Sequence, residues 1–301
     1  PQDESGAMTT THRLLGFALV LALLGAAPAG AVELVYKPKV GETAKHKVML
    51  AGRLSVTASD PELAAFVDQR GEMTANIRYS ATAASQSDDS TAVEIRLLEG
   101  EAVVKTESGS ETVDLGTLTA KLTTDRRLET GNAEFDAEED FAELSEEGYS
   151  VLDGFPLLAG GWWELVDVLF LPAGDVSKGA EWEYEETEDL PSPSAPPIVV
   201  KYTLLDLTTH EGRKCAKIRG SWRYEFSDMK IEGEGEGDES DAMTASGVHT
   251  GDYLFYYDYE NSVCAYSEGS TGMEMTADMP ALPGEQTVSM KAVVNVKTTL
   301  E

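Results

Sequence analysis

Basic residues, histidine and cysteine are all scarce in this 301-residue chain, which sets 23 Lys and Arg against 54 Asp and Glu and holds 4 His and 2 Cys. A net charge of −31 repels phosphate, which argues against nucleic acid as a partner and disfavours an anionic membrane surface. The acidity reads first as solubility or adaptation to a salty medium, with binding of divalent cations or a basic partner as the functional alternative. His46, His210 and His249 are scattered, and neither C-x-x-C nor H-x-x-x-H spacing occurs, so no metal site is expected. Nucleotide-binding glycine motifs are missing from the region after residue 31, and no cofactor is expected. The G-x-S-x-G context of a serine hydrolase is also missing. Among 54 carboxylates, pairs at any spacing arise by chance, so none is nominated as a glycosidase pair. The chain is read as a non-enzyme with no catalytic residues.

Long apolar runs are equally scarce, with one exception near the start. His12 and Arg13 lead into an apolar run over residues 14–27, followed by Pro28-Ala29-Gly30-Ala31. A basic lead, a short apolar run and small residues at Ala29 and Ala31 form the pattern of a secretory signal peptide cleaved after Ala31. The run is shorter than the roughly 18 residues a membrane span needs, so no stable span is expected after cleavage. Pro1 is no translational start, and residues 1–7 read as an over-extended gene start or a remnant of expression, with Met8 as the first natural residue. Removing residues 1–31 takes away Asp3, Glu4 and Arg13 and leaves a net charge of −30. The expected location is secreted or periplasmic.

An oxidising compartment makes a disulfide between Cys215 and Cys264 the default expectation. The two lie 49 residues apart, and a bridge closing that loop would contribute about 3 to 4 kcal/mol in the chain-entropy model.

Strand signals dominate, recurring between turn residues at short intervals. Strands are expected near residues 33–36, 45–56, 73–83, 91–98, 103–107, 112–122, 181–187, 198–208, 215–226, 248–258, 263–267 and 286–299. Asp60 followed by Pro61 reads as a helix cap with proline in the first turn, giving one short helix over 60–69. Helix is also expected in the middle, over 136–147 with Asp136 as cap and over 157–170. There Trp162, Trp163, Leu165, Leu169 and Phe170 are the candidate ligand-binding residues, with core packing as the competing and commoner role. In the aromatic strand, Tyr253, Phe255, Tyr257 and Tyr259 share one face while Leu254 and Tyr256 share the other. Apolar residues on both faces predict a strand covered on both sides, with a sugar-stacking platform as the alternative. Residues 232–241 alternate Gly and Glu and then turn acidic, which reads as a mobile loop.

The halves share a pattern. Tyr79 precedes Ile95 by 16 residues across a polar turn, as Tyr202 precedes Ile218, and each hairpin follows a strand led by glycine, Gly41 or Gly179. Two copies of one β module are expected, at 32–135 and 176–301, joined by a helical segment at 136–175. The fold class is then mainly β, with antiparallel sheets of curved-sheet or half-barrel type.

Gly179 with Trp182, Tyr202-Thr203-Leu204, Gly212-Arg213 before Cys215 to Ile218, and Gly251-Asp252-Tyr253-Leu254-Phe255-Tyr256-Tyr257-Asp258 resemble a family of secreted bacterial proteins of unknown function. The resemblance is best over residues 171–267. It implies fold and compartment and transfers no catalytic residue. A more distant analogy, at the level of fold class alone, is to periplasmic lipoprotein carriers, whose curved sheet holds acyl chains. The expectation is a binding protein that carries or senses an apolar ligand or a lipid-modified partner, with an envelope structural or protein-interaction module as the alternative.

Overall fold

The computed structural model describes residues 30–115, 117–138, 169–186, 197–231, 243–278 and 286–301. Its first half is a meander of β2 (Thr43–Ala58), β3 (Gln69–Gln86), β4 (Ser90–Lys105), β6 (Thr117–Asp125) and β7 (Thr130–Glu138), with β5 (Ser110–Asp114) paired to β4. The second half is a meander of β9 (Glu181–Glu186), β10 (Ile198–His210), β11 (Arg213–Ile231), β12 (Met243–Asp258), β13 (Val263–Asp278) and β14 (Thr287–Leu300). All twelve strands make one antiparallel sheet in the order β7-β6-β4-β3-β2-β14-β13-β12-β11-β10-β9, with β5 off the path. The halves join where β14 runs along β2, from Val288 opposite Ala58 to Leu300 opposite His46. The sheet is curved and not closed into a barrel, so β7 and β9 remain edges. Two short strands, β1 (Val32–Glu33) and β8 (Asp175–Val176), pair separately.

Alternation decides which side is the core. Along β2, His46, Val48, Leu50, Gly52 and Leu54 are buried while Lys45, Lys47, Met49, Ala51 and Arg53 are exposed, the period-two signature of a sheet wet on one face. The buried face continues through Met73, Ala75, Ile77 and Tyr79 on β3 and Val294 and Val296 on β14. The helix α1 (Pro61–Val67) forms where Asp60 and Pro61 announce it, with Asp60 Oδ1 accepting from the Glu62 and Leu63 N–H groups at 2.8 and 3.1 Å. His210 and Arg213 pair across Glu211 and Gly212, whose φ values of 49° and 81° make a two-residue primed hairpin turn.

On the second half the buried face is a wall of rings seated over glycines. Tyr202 faces Gly220, Trp222 faces Gly251 and Tyr253 faces Gly269 on the neighbouring strands. A Cβ built on Gly251 would lie 2.1 Å from the Trp222 ring, and one on Gly269 would lie 2.5 Å from Cγ of Tyr253. Because the glycines leave that space, Trp222 and Tyr253 lie nearly parallel with centroids 5.7 Å apart, and Tyr253 and Phe255 stack at 5.9 Å.

The two halves also enter their hairpins alike. Gly41 and Gly179, at φ of 81° and 84°, each donate to the adjoining β3 or β10 strand, at Ala83 O and Leu204 O, and those residues donate back to Glu42 O and Ala180 O. Tyr79 opposite Leu97 and Ala81 opposite Ile95 repeat the register of Tyr202 opposite Gly220 and Leu204 opposite Ile218.

Three expectations change. Asp136 does not cap a helix: it lies in β7 opposite Thr119. The rest of the expected middle helices, including Trp162, Trp163 and Leu165, falls at 139–168, outside the described residues, as do Ala29 and the 232–242 segment. The aromatic strand is covered on one side only, because Tyr253, Phe255 and Tyr257 are buried while Leu254 and Tyr256 stay half-exposed. Cys215 and Cys264 are free thiols. They lie on β11 and β13 with β12 between them, and two strand spacings of about 4.8 Å put their backbones beyond the reach of a disulfide. Burial pushes the thiols up to about 11 and about 12, so both stay protonated near neutral pH.

A candidate ligand cavity at one end of the sheet

Two segments outside the large sheet cross its buried face at the end where β2 begins and β14 finishes. The Tyr36 N–H donates to Arg126 O and the Leu171 N–H to Arg127 O, both at 2.8 Å, which ties the segments to the turn after β6. From the other half, the Tyr257 and Ser262 hydroxyls donate to Val35 O at 2.7 and 3.2 Å, and Trp182 Nε1 donates to Phe170 O at 2.8 Å. Leu34, Leu169 and Leu171, at most 3% exposed, are thereby driven into the core as a plug between the halves. Burying three such side chains is worth about 2 kcal/mol each, which holds the segments down.

Two of the expected ligand-binding residues are placed by this plug. Leu169 is buried and lines the cavity described next. Phe170 instead stacks on Tyr184, with 7° between the ring planes, and meets Tyr202 edge-on, a core contact.

Beneath the plug lies a cavity of about 330 Å³. Its lining mixes the apolar Ala81, Ala83, Leu128 and Leu169 with His46, Ser267, Cys264 and Thr298, and includes the charged Arg213 and the exposed Glu42, Lys45 and Glu301. His46 and Thr298 are 6% and 1% exposed, yet His46 Nδ1 and Thr298 Oγ1 have no hydrogen-bond partner among the described residues. Such atoms cost about 1 to 3 kcal/mol each when left unpaired. Two larger hollows, of about 660 and 920 Å³, open on the outer face among exposed ion pairs such as Arg53 with Glu72 and Lys291 with Glu274. Solvent and neighbouring charges already satisfy the groups there, so the half-open cavity beneath the plug, which reaches two buried unpaired atoms, is the stronger candidate.

Burial draws His46 down to about 4, with the Glu301 carboxylate opposing. The ring, stacked on Tyr79 at 5.0 Å, is therefore neutral at pH 7. Because the folded value lies below the unfolded value of about 6.5, the unfolded chain binds the extra proton as pH falls between them. Stability is full above about 6.5 and declines toward pH 4, by about 3 kcal/mol from this group. Urea titrations from pH 7.5 to 4 should show that slope, and His46→Phe, which keeps a ring on Tyr79, should flatten it.

Sequence reasoning passed over His46 because it looked for ligand spacing. The available signal was a lone histidine on the apolar face of a strand, in register with Val48, Leu50 and Leu54. Thr298 carried no comparable signal. Among the described residues there is no cluster of His, Cys, Asp and Glu fit to hold a metal, and no helix long and apolar enough to cross a membrane.

No protein-family model and no curated protein matches the chain. Among solved structures, DynF from the dynemicin biosynthesis pathway of Micromonospora chersina is similar at 9% identity and a TM-score of 0.21, over 91% of this chain and 86% of that one. The translocator domain of the autotransporter NalP from Neisseria meningitidis is similar at 9% identity and a TM-score of 0.18, over 95% of each chain. At those scores neither likeness bears on fold or function.

Proposed function

We propose that this is a secreted or periplasmic binding protein without enzymatic activity, built from two copies of one β module, that carries or senses a small apolar ligand beneath its plug. The observation that carries the reading is the half-open cavity of about 330 Å³ whose partly apolar lining includes two unpaired buried polar atoms. Ligand pockets commonly begin at about that volume and combine an apolar lining with a few placed polar groups. The alternative of an envelope module that pairs through its strand edges gains little from β9. That edge strand carries Glu181, Glu183, Glu185 and Glu186 in six residues, a charge pattern that blocks edge-to-edge addition.

Mass spectrometry of protein purified from its native compartment, before and after organic extraction, tests the proposal. It should find a small molecule released in proportion to protein. Extracts without such a species, together with no uptake of apolar probes by the extracted protein, would overturn it.

A further inference from the structure

We infer that the ligand presents an uncharged hydroxyl to His46 and Thr298 and a compact, flat apolar body to the apolar part of the lining, in the manner of a phenol or naphthol. The inference rests on the proposed binding role and narrows its chemistry. His46 faces Leu300 across the β2 and β14 seam, so Thr298, two residues back along β14, is its diagonal neighbour. Diagonal positions lie about 7 Å apart, room for one oxygen to bond both side chains. Ser267 stands directly opposite Thr298 on β13 and extends the same polar part of the lining. A hydroxyl both donates and accepts, so it satisfies Thr298 and either tautomer of a neutral His46.

Charge is poorly served here. The cations lining the cavity are Lys45, on the exposed face of β2, and Arg213, which is paired with Asp258 at 3.2 Å. Glu42 lines it too and repels an anionic head, while Glu301 is already paired with Arg78 at 2.7 Å. A buried carboxylate with no fixed counter-charge is costly. At about 330 Å³ the cavity holds the liquid share of about ten waters, and the apolar body of a ligand would displace them from Ala81, Ala83, Leu128 and Leu169. The same volume is about twice that of an engineered apolar cavity that takes benzene, which suits a two-ring body.

Calorimetric titration of the extracted protein with 2-naphthol, 2-methylnaphthalene and 2-naphthoate tests the inference. Naphthol should bind about tenfold tighter than the methyl analogue, the worth of one net hydrogen bond. Thr298→Val, which keeps the shape and removes the hydroxyl, should erase most of that difference while raising the urea midpoint of the empty protein. His46→Phe should reduce the same preference. Equal binding of naphthol and methylnaphthalene, or tightest binding of naphthoate, would overturn the hydroxyl assignment and leave the binding role standing. If none of the three binds and extraction released no ligand, both readings fall.

Discussion

Gly269→Ala is expected to destabilise the protein by about 3 kcal/mol, at the upper end of the cost of overpacking a filled core. The new methyl would lie 2.5 Å from Cγ and Cδ1 of Tyr253 and 2.6 Å from the Asp252 carbonyl oxygen. Neither obstacle can move alone. Cγ is fixed to a backbone paired on both sides, and the ring, 2% exposed, is stacked between Trp222 and Phe255. Gly251→Ala should cost less despite a nominally closer approach of 2.1 Å, because there the methyl meets the far edge of the Trp222 ring, which can tilt. Gly272→Ala is the control: its nearest neighbours stand 3.6 Å and more away, and the change should be close to neutral. Urea midpoints for the three variants check this order. Equal losses at Gly269 and Gly272 would mean that the glycines matter for backbone freedom and not as seats for rings.

Asp258→Ala should cost about 3 kcal/mol, the lower end of the range for breaking a buried ion pair. Its side chain is fully buried and organises the turn between β12 and β13. Oδ1 accepts from the Glu260 and Asn261 N–H groups, both at 3.1 Å, while Oδ2 accepts from Asn261 Nδ2 at 2.8 Å and from Arg213 at 3.2 Å. Arg213 is 39% exposed and regains water when the pair is lost, which keeps the cost at the lower end. Asp258→Asn, which retains the acceptor for the two backbone groups, should lose only about 1 to 2 kcal/mol. Burial alone would raise the carboxyl, but the hydrogen bonds from Asn261, Arg213 and the backbone outweigh it and hold it below the usual carboxylate range. Its contribution is therefore complete above the unfolded value of about 3.9 and is lost as pH falls below that. The His46 slope lies between about 6.5 and 4, so the two groups act in separate windows, and His46→Phe and Asp258→Asn should each remove only its own.

Local chemistry made much of this fold legible. Asp60-Pro61 marks its helix, Glu211-Gly212 its hairpin, and the alternation of residues 45–56 its buried face, because each depends on neighbours within a few residues. Features set by distant partners were not legible. The strand expected over 263–267 runs on to Asp278, past Gly269, where a ring from β12 lies. The expected oxidising compartment makes a Cys215 to Cys264 disulfide the default, and separation along the chain says nothing of the strand that lies between them. The cavity depends on the pairing of β2 with β14 and on the plug, both joined across more than 200 residues of chain. The sequence signals that point to it are the lone His46 on an apolar face and Leu169, which lines the cavity.

The central claim is that the ligand is held beneath the plug, against His46. Long-range ¹⁵N–¹H spectra of the histidine rings test it most directly, because the tertiary environment separates His46 from His210 and His249. Adding 2-naphthol, or the molecule recovered by extraction, should shift the ring nitrogens of His46 and leave those of His249, beside Trp222 on the ring wall, unchanged. Shifts at His249 with His46 unmoved would place the ligand against the ring wall and contradict the account.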